Sequence, residues 1–293
     1  MQIRQTVQKK YKLALLGNPI SHSISPQIHK MFADMCRVDI DYIKIDTDIP
    51  GLKDTVEYLK SENFSGFNCT MPLKEEIVKY INEKSNKTNF LNVCNTVKIK
   101  NNILYGHTTD GEGMISGIKR AGTKIKNKNV LMFGAGGAAK SILYSLVENG
   151  AKKIIVLNRS KKNLESVKRL FIHHKNVVLC DFLNSENLEK YVNHNGIGIV
   201  INASRLGMNG SEESFAFDPE YGFLNMLEKE AVIADAVYDP IKTKLLAASQ
   251  KAGYKTAGGL CMLVCQGALS FKFWTNKTVP EECIEKILKI YEK

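Results

Sequence analysis

The stretch VLMFGAGGAAKSIL, Val130 to Leu143, constrains the fold of this chain more than any other. Four apolar residues run into Gly134-Ala135-Gly136-Gly137-Ala138-Ala139, and a helical pattern follows. A strand that ends in Gly-x-Gly-x-x-Ala and feeds a helix is the phosphate-binding turn of a βαβ unit. Gly134 permits the tight turn, Gly136 lets the backbone approach a pyrophosphate, and Ala139 keeps helix and strand close. The unpaired amides of Gly136, Gly137 and Ala138 at the helix start face the anion. A glycine pattern by itself is weak, and the bland alternative is a turn with no ligand. Its place between a strand and a helix gives it weight.

About twenty residues further on, the strand KKIIVLN ends in Asn158-Arg159-Ser160-Lys161-Lys162. A dinucleotide fold normally puts an acid here to bind both ribose hydroxyls, and a carboxylate would repel a 2′-phosphate. Arg159 can instead hydrogen-bond that phosphate and lay its planar guanidinium against adenine, with Ser160 and Lys161 adding donors. The cluster predicts NADP as cofactor, with NAD as the weaker alternative. A solvated basic turn is the competing reading.

The rest of the chain alternates in the same rhythm. YKLALLG (11–17), IDYIKIDT (40–47) and FSGFNCTM (64–71) read as extended, and PQIHKMFADMC (26–36), GLKDTVEYLKS (51–61) and DGEGMISGIKRAG (110–122) as helical. The expected fold class is α/β with two domains. One is an N-terminal α/β substrate domain with a mainly parallel sheet, residues 1–113, on which C-terminal helices over 259–293 pack back. The other is a Rossmann domain, residues 114–258. The net charge of +11 points to anionic partners. The basic residues are scattered, with no base-reading element, so small phosphates are expected and nucleic acid is not. The seven cysteines are dispersed and form no CxxC pair, which argues against a zinc site or a disulfide framework and for reduced thiols in the cytoplasm. The N-terminal apolar run is too short for a signal peptide or membrane span. Nothing in the chain fixes its oligomeric state, and a homodimer is compatible with it.

Three polar segments stand next to apolar strands, where open α/β sheets place their ligand crevice: GNPISHSISPQIH (17–29), FNCTMPLKEEI (67–77) and the region 92–113. They offer Ser23, Ser25, Asn68, Thr70 and Asn95 as neutral groups and Lys74 and Asp110 as charged ones. Many neutral hydrogen-bonding groups around one ion pair suit a polyhydroxylated substrate. Hydride transfer from a carbinol carbon also needs a group for the hydroxyl proton.

Together NPISHSISPQIH, NCTMPLKEE, CNTV, TTDGEG, FGAGGAAKS, NRS, INASRLGM and GGLCMLVCQGA resemble the shikimate dehydrogenase family, in the family's order, from about Leu13 to Trp274. The resemblance implies an NADP-dependent oxidoreductase that reduces 3-dehydroshikimate to shikimate, a step toward chorismate and the aromatic amino acids. It also implies a substrate domain and a nucleotide domain with the active site between them. Carried over by position, Ser23 and Ser25 bind the substrate carboxylate, and Asn68, Thr70, Asn95, Asp110 and Gln266 its ring hydroxyls. Lys74 and Asp110 form the catalytic pair, with Tyr238 near the substrate. Gly259 and Met262 face the nicotinamide, while Asn158, Arg159 and Ser160 bind the adenosine phosphate. A free lysine titrates near 10.4, so at neutral pH Lys74 is a proton donor. His107 is the competing acid–base residue, and His22 is expected to brace the serine loop.

The chain departs from the family in four places. Thr108 replaces an asparagine, and Ser204-Arg205 replaces threonine and a small or prolyl residue. Asn163 stands where a second phosphate-binding arginine is usual. Cys261 replaces a glycine beside the nicotinamide positions, where it is expected to narrow the pocket. An NAD-using quinate/shikimate dehydrogenase and a catalytically silent nucleotide-binding homologue are the alternatives.

Overall fold

The structure, a computed structural model, describes residues 10–181, 188, 191–192, 195–209 and 220–292. The chain divides into two units, Met1–Thr109 with Gly267–Tyr291, and Asp110–Gln266.

The first unit holds β1 (Tyr11–Gly17), α1 (Ser25–Cys36), β2 (Ile40–Asp46), α2 (Leu52–Ser61), β3 (Gly66–Cys69), β4 (Glu83–Lys84), α3 (Asn86–Leu91), β5 (Thr96–Lys100) and β6 (Ile103–His107). Its sheet order is β2-β1-β3-β5-β6-β4. β1 runs parallel to β2 and β3, and β4 to β6, while β5 is antiparallel to both β3 and β6. The sheet is therefore mixed rather than uniformly parallel. Both antiparallel pairings involve β5, which forms a hairpin with β6 within a stretch that reads from sequence only as a polar segment. The hairpin turn is Asn101-Asn102, with Lys100 paired to Ile103 and φ of 52° and 60° at the two asparagines. Positive φ at both central residues matches the right-handed twist of the flanking strands, and asparagine tolerates it better than most residues. Paired asparagines between alternating segments were the available signal.

β3 alternates as a half-polar strand should. Phe67 and Cys69 join Leu16, Leu73, Ile77, Val97 and Leu104 in a core under α2, and Asn68 turns to the other face. The other face is closed from far along the chain by α8 (Gly259–Thr275), whose Trp274 is buried and donates from Nε1 to Val97 O at 2.8 Å. Gly66 is required there, because a Cβ on it would lie 2.4 Å from Trp274 Nε1. The helix α9 (Glu281–Tyr291) packs against α1.

The second unit contains α4 (Asp110–Arg120), β7 (Asn129–Phe133), α5 (Gly137–Glu148), β8 (Lys153–Asn158), α6 (Lys161–Leu170), β9 (Val177–Asp181), β10 (Ile197–Asn202), β11 (Val232–Asp235), α7 (Lys244–Lys251) and β12 (Lys255–Ala257). Its six strands are all parallel, in the order β12-β11-β10-β7-β8-β9. All of β10 and all of β11 are buried, as is the apolar middle of β8, the signature of strands covered on both faces. The order reverses between β7 and β10, so the loops after those two strands border the crevice where such sheets bind ligands. Among the described residues no helix is long and apolar enough to cross a membrane.

Candidate active site

In the first unit, Ser23 and Ser25 stand at the start of α1, both buried, with hydroxyls 3.2 Å apart; the Ser25 N–H also donates to Ser23 Oγ at 3.3 Å. Two hydroxyls at a helix N-terminus whose first turn holds no acidic residue suit a carboxylate. The loop is braced by Lys44, whose Nζ donates to Ser21 O at 2.5 Å and Ser23 O at 3.4 Å. His22, expected to brace it, is exposed instead.

Asn68 is the hub of a buried polar network. Its Nδ2 donates to Asn95 O at 2.9 Å, Thr96 Oγ1 at 3.0 Å and Ser270 Oγ at 3.3 Å, and its Oδ1 accepts from Tyr42 OH at 2.8 Å. Asn95 Oδ1 accepts from the Thr109 N–H at 2.9 Å, and its Nδ2 donates to Thr109 Oγ1 at 3.0 Å. Ser270 and Thr96 hydroxyls lie 2.7 Å apart. Tyr42, Thr96, Thr109 and Ser270 are members that sequence reasoning missed. Behind Tyr42, His29 stacks with ring centroids 4.7 Å apart and planes at 10°. Burial pushes the His29 imidazole down to about 3, so the ring is neutral and holds the phenol in place by packing.

Thr70 and Lys74 follow β3 on a turn. Thr70 N–H donates to Leu16 O at 2.8 Å, and Lys74 O accepts from Cys94 N–H at 2.8 Å, so the backbone carrying both is pinned to two neighbouring segments. Lys74 is half-buried. Burial, then the Cys94 sulfur, raises the Cys69 thiol, and the ammonium of Lys74 pulls it back down. His107, the competing base, has Nδ1 at 3.0 Å from Ser85 Oγ and its ring against Phe273, at a centroid distance of 5.7 Å.

In the second unit, Asp110 opens α4 and is buried. Gly134 has φ +114°, and a Cβ on it would lie 2.7 Å from Ala203 O, so both conformation and space exclude a side chain. Around Gly136, by contrast, a Cβ would meet nothing within 4 Å. That open space, Gly137 at the start of α5 with no side-chain cap, and buried Ala135 beside Ala138 fit a pyrophosphate approached by bare backbone. After β8, Asn158 Nδ2 donates to Ser160 O at 3.1 Å, and Ser160 Oγ accepts from Asn163 N–H at 3.3 Å. Ser160 is thus the N-cap of α6, and Arg159 and Lys161 stand exposed beside it. Arg205 is exposed on the loop after β10. Tyr238 lies on the loop after β11. Gly259 starts α8, where a Cβ would lie 2.3 Å from Val237 O; Met262 is buried one turn on, and Gln266 Nε2 donates to Leu263 O at 2.9 Å.

Cys261 does not take the place expected for it. An ideal Cβ at Gly117 of α4 would stand 3.6 Å from its sulfur, so the thiol packs on α4. It shares a hydrogen bond with Cys265, which raises Cys261 and lowers Cys265; the Arg120 guanidinium also favours the Cys265 thiolate. Cys261→Gly is therefore expected to leave kcat unchanged and to lower stability by about 1–2 kcal/mol through lost packing and added backbone freedom. Initial rates and thermal melts check this, and a faster variant would restore the narrowed pocket.

Fold and loops together define a dinucleotide-binding α/β dehydrogenase. Three family models match the chain: the shikimate dehydrogenase substrate binding domain over residues 15–97, shikimate/quinate 5-dehydrogenase over 117–208, and the shikimate 5′-dehydrogenase C-terminal domain over 259–289. The NADP⁺ shikimate dehydrogenase of Alkaliphilus metalliredigens is 34% identical over 94% of this chain and 95% of its own. A solved structure of Listeria monocytogenes shikimate 5-dehydrogenase with shikimate and NAD is 31% identical, with a TM-score of 0.83 over 98% of this chain and 99% of its own. A quinate dehydrogenase from Corynebacterium glutamicum, solved with NAD, is 25% identical with a TM-score of 0.83 over 96% of this chain and all of its own. The chain belongs to the shikimate dehydrogenase family.

Proposed function

We propose that this chain catalyses the reversible reduction of 3-dehydroshikimate to shikimate with NADPH. The observation that carries the reading is the buried amide–hydroxyl network centred on Asn68 and Asn95, present in the same chain as a glycine cradle followed by an arginine-bearing turn. Bound NADPH supplies a hydride to the ring carbonyl carbon. Lys74 gives the carbonyl oxygen its proton, and Asp110 orients the reacting oxygen. Ser23 and Ser25 hold the carboxylate; Asn68, Thr70, Asn95 and Gln266 meet the ring hydroxyls, and Tyr238 stands beside them. Asn68 has its amide hydrogens committed to protein partners, so it serves the substrate as an acceptor through Oδ1. Gly134 to Ala138 cradle the pyrophosphate, Gly259 and Met262 border the nicotinamide, and Asn158, Arg159, Ser160 and Lys161 receive the 2′-phosphate end.

A charge-assisted bond to phosphate contributes about 1.5–3 kcal/mol. Arg159→Ala is accordingly expected to raise the KM for NADP roughly 10- to 100-fold and to leave that for NAD unchanged. Shikimate oxidation rates with both cofactors test it. Equal use of NADP and NAD by wild type would favour the second reading, an NAD-using quinate/shikimate dehydrogenase. That reading draws on Asn163, which supplies α6 with no second cationic side chain at the place where the family carries arginine.

A further inference from the structure

Asp235, the last residue of β11, is fully buried. Its Oδ1 accepts from the Val237 N–H at 2.9 Å and from Asn202 Nδ2 at 2.9 Å, and its Oδ2 accepts from Thr243 Oγ1 at 2.7 Å. Burial pushes this carboxyl up to about 7, against the downward pull of those three donors. Its folded-state value lies above that of an unfolded aspartate, so the folded form binds the proton more tightly. Stability contributed by that proton is fully present below the ordinary carboxylate range and is lost as pH rises through about 7.

What the carboxylate holds is a loop. Val237 and Thr243 are the two ends of the turn between β11 and α7, and Tyr238 lies inside it. Thr243 also caps α7 by accepting from the Leu246 N–H at 3.3 Å. Asn202, the last residue of β10, extends the anchor into the neighbouring loop. Its Nδ2 donates to Leu206 O at 2.9 Å, and its Oδ1 accepts from Ser204 N–H at 3.1 Å and Ser204 Oγ at 2.6 Å. Further out, Asn209 donates from its backbone N–H to Asp239 O at 3.1 Å and from Nδ2 to Asp239 Oδ1 at 2.8 Å. The two loops are tied at their bases and again between Asn209 and Asp239, and Gly259 rests on the Val237 carbonyl of the same turn. Both loops leave the carboxyl ends of their strands, the side on which such sheets bind ligands.

We propose that Asp235 is a positioning residue for hydride transfer: by clamping both ends of the 237–243 turn and, through Asn202, the 203–206 loop, it fixes Tyr238 and the Gly259 turn toward the nicotinamide. The inference rests on the function proposed above. A carboxylate suits the clamp because it accepts from all three segments at once, whereas an amide would turn an N–H toward one of the donors.

The test compares Asp235→Asn, Thr243→Val and Thr243→Ser with wild type. The readouts are kcat and KM for 3-dehydroshikimate, the Kd for NADP, thermal melts, and amide hydrogen exchange over 236–243. Asp235→Asn and Thr243→Val are expected to lower kcat roughly 10- to 100-fold, as small misplacements at a reacting centre do. Exchange over the turn should rise, and the Kd for NADP should change by less than kcat does, since the turn after β8 that carries Arg159 lies outside the clamp even though Gly134 packs on Ala203 within it. Thr243→Ser, which keeps the hydroxyl, should restore kcat, and the Asp235→Asn protein should melt no lower than wild type at pH 8. A kcat that falls only in step with the folded fraction would overturn the proposal, and so would unchanged exchange over 236–243 in Asp235→Asn. Failure of wild type to turn over shikimate with either cofactor would instead overturn the functional reading on which the proposal stands.

Discussion

Lys74→Met is expected to lower kcat by about 10²–10⁴-fold, the range for losing a positioned proton donor, equivalent to about 3–5.5 kcal/mol of barrier. Methionine keeps the length and apolar stem of the side chain and removes only the ammonium. The backbone at this residue is held by the Cys94 N–H, a contact the substitution leaves intact. The fold should therefore survive, and NADP should bind as in wild type. Single-turnover rates beside a thermal melt make the measurement. A kcat within threefold of wild type would remove Lys74 from the chemistry and return attention to His107. That imidazole, however, already has Nδ1 against Ser85 Oγ.

Gly111→Ala is expected to destabilise the second unit by about 3 kcal/mol, at the upper end for overpacking a tight interface. The added Cβ would lie 2.1 Å from Ser141 O and 2.3 Å from Ser145 Oγ on α5. A carbonyl of a helix backbone cannot swing aside, so α4 would have to move away from α5. For a unit of this size that loss corresponds to a fall in melting temperature of roughly 6–12 °C. Gly117→Ala, on the same helix, is the control: its Cβ would meet Cys261 Sγ at 3.6 Å, an ordinary contact, and better helix propensity should leave stability equal or higher. Equal melting of the Gly111 and Gly117 variants would show that the α4–α5 approach is looser than it stands here. Gly113 serves the opposite side of α4, where a Cβ would lie 2.8 Å from Met262 O. The Asp-Gly-Glu-Gly motif thus sets Asp110 at the head of a helix that two backbones crowd.

Much of this was legible in the chain because its signals are local. The glycine loop, the serine loop before Pro26 and the basic turn after β8 each lie within a few consecutive residues, and turn geometry depends on little else. The helix at 110–120 was readable from its period, but the reason for its glycines was not. Periodicity describes one helix, whereas close approach involves two. The sequence offers Ser160 as a phosphate donor, whereas the fold shows it capping α6. Cys261 was placed by its sequence neighbours near the nicotinamide, and helix geometry turned it toward Gly117.

By itself the sequence determined two α/β units, a glycine loop between a strand and a helix, a basic turn after the next strand, and the family to which the chain belongs. Only the tertiary structure decided which polar groups meet. Tyr42 and Asn68 lie on strands either side of β1, and Asn68 and Thr96 are paired across β3 and β5. Ser270 arrives from a helix two hundred residues later in the chain to reach both. Asp235 gathers donors from β10, its own loop and α7 in the same way. The physical reason is shared. A buried polar atom must find a partner, and which atom that is depends on strand register and helix placement, set by the packing of the whole unit rather than by any short run of residues.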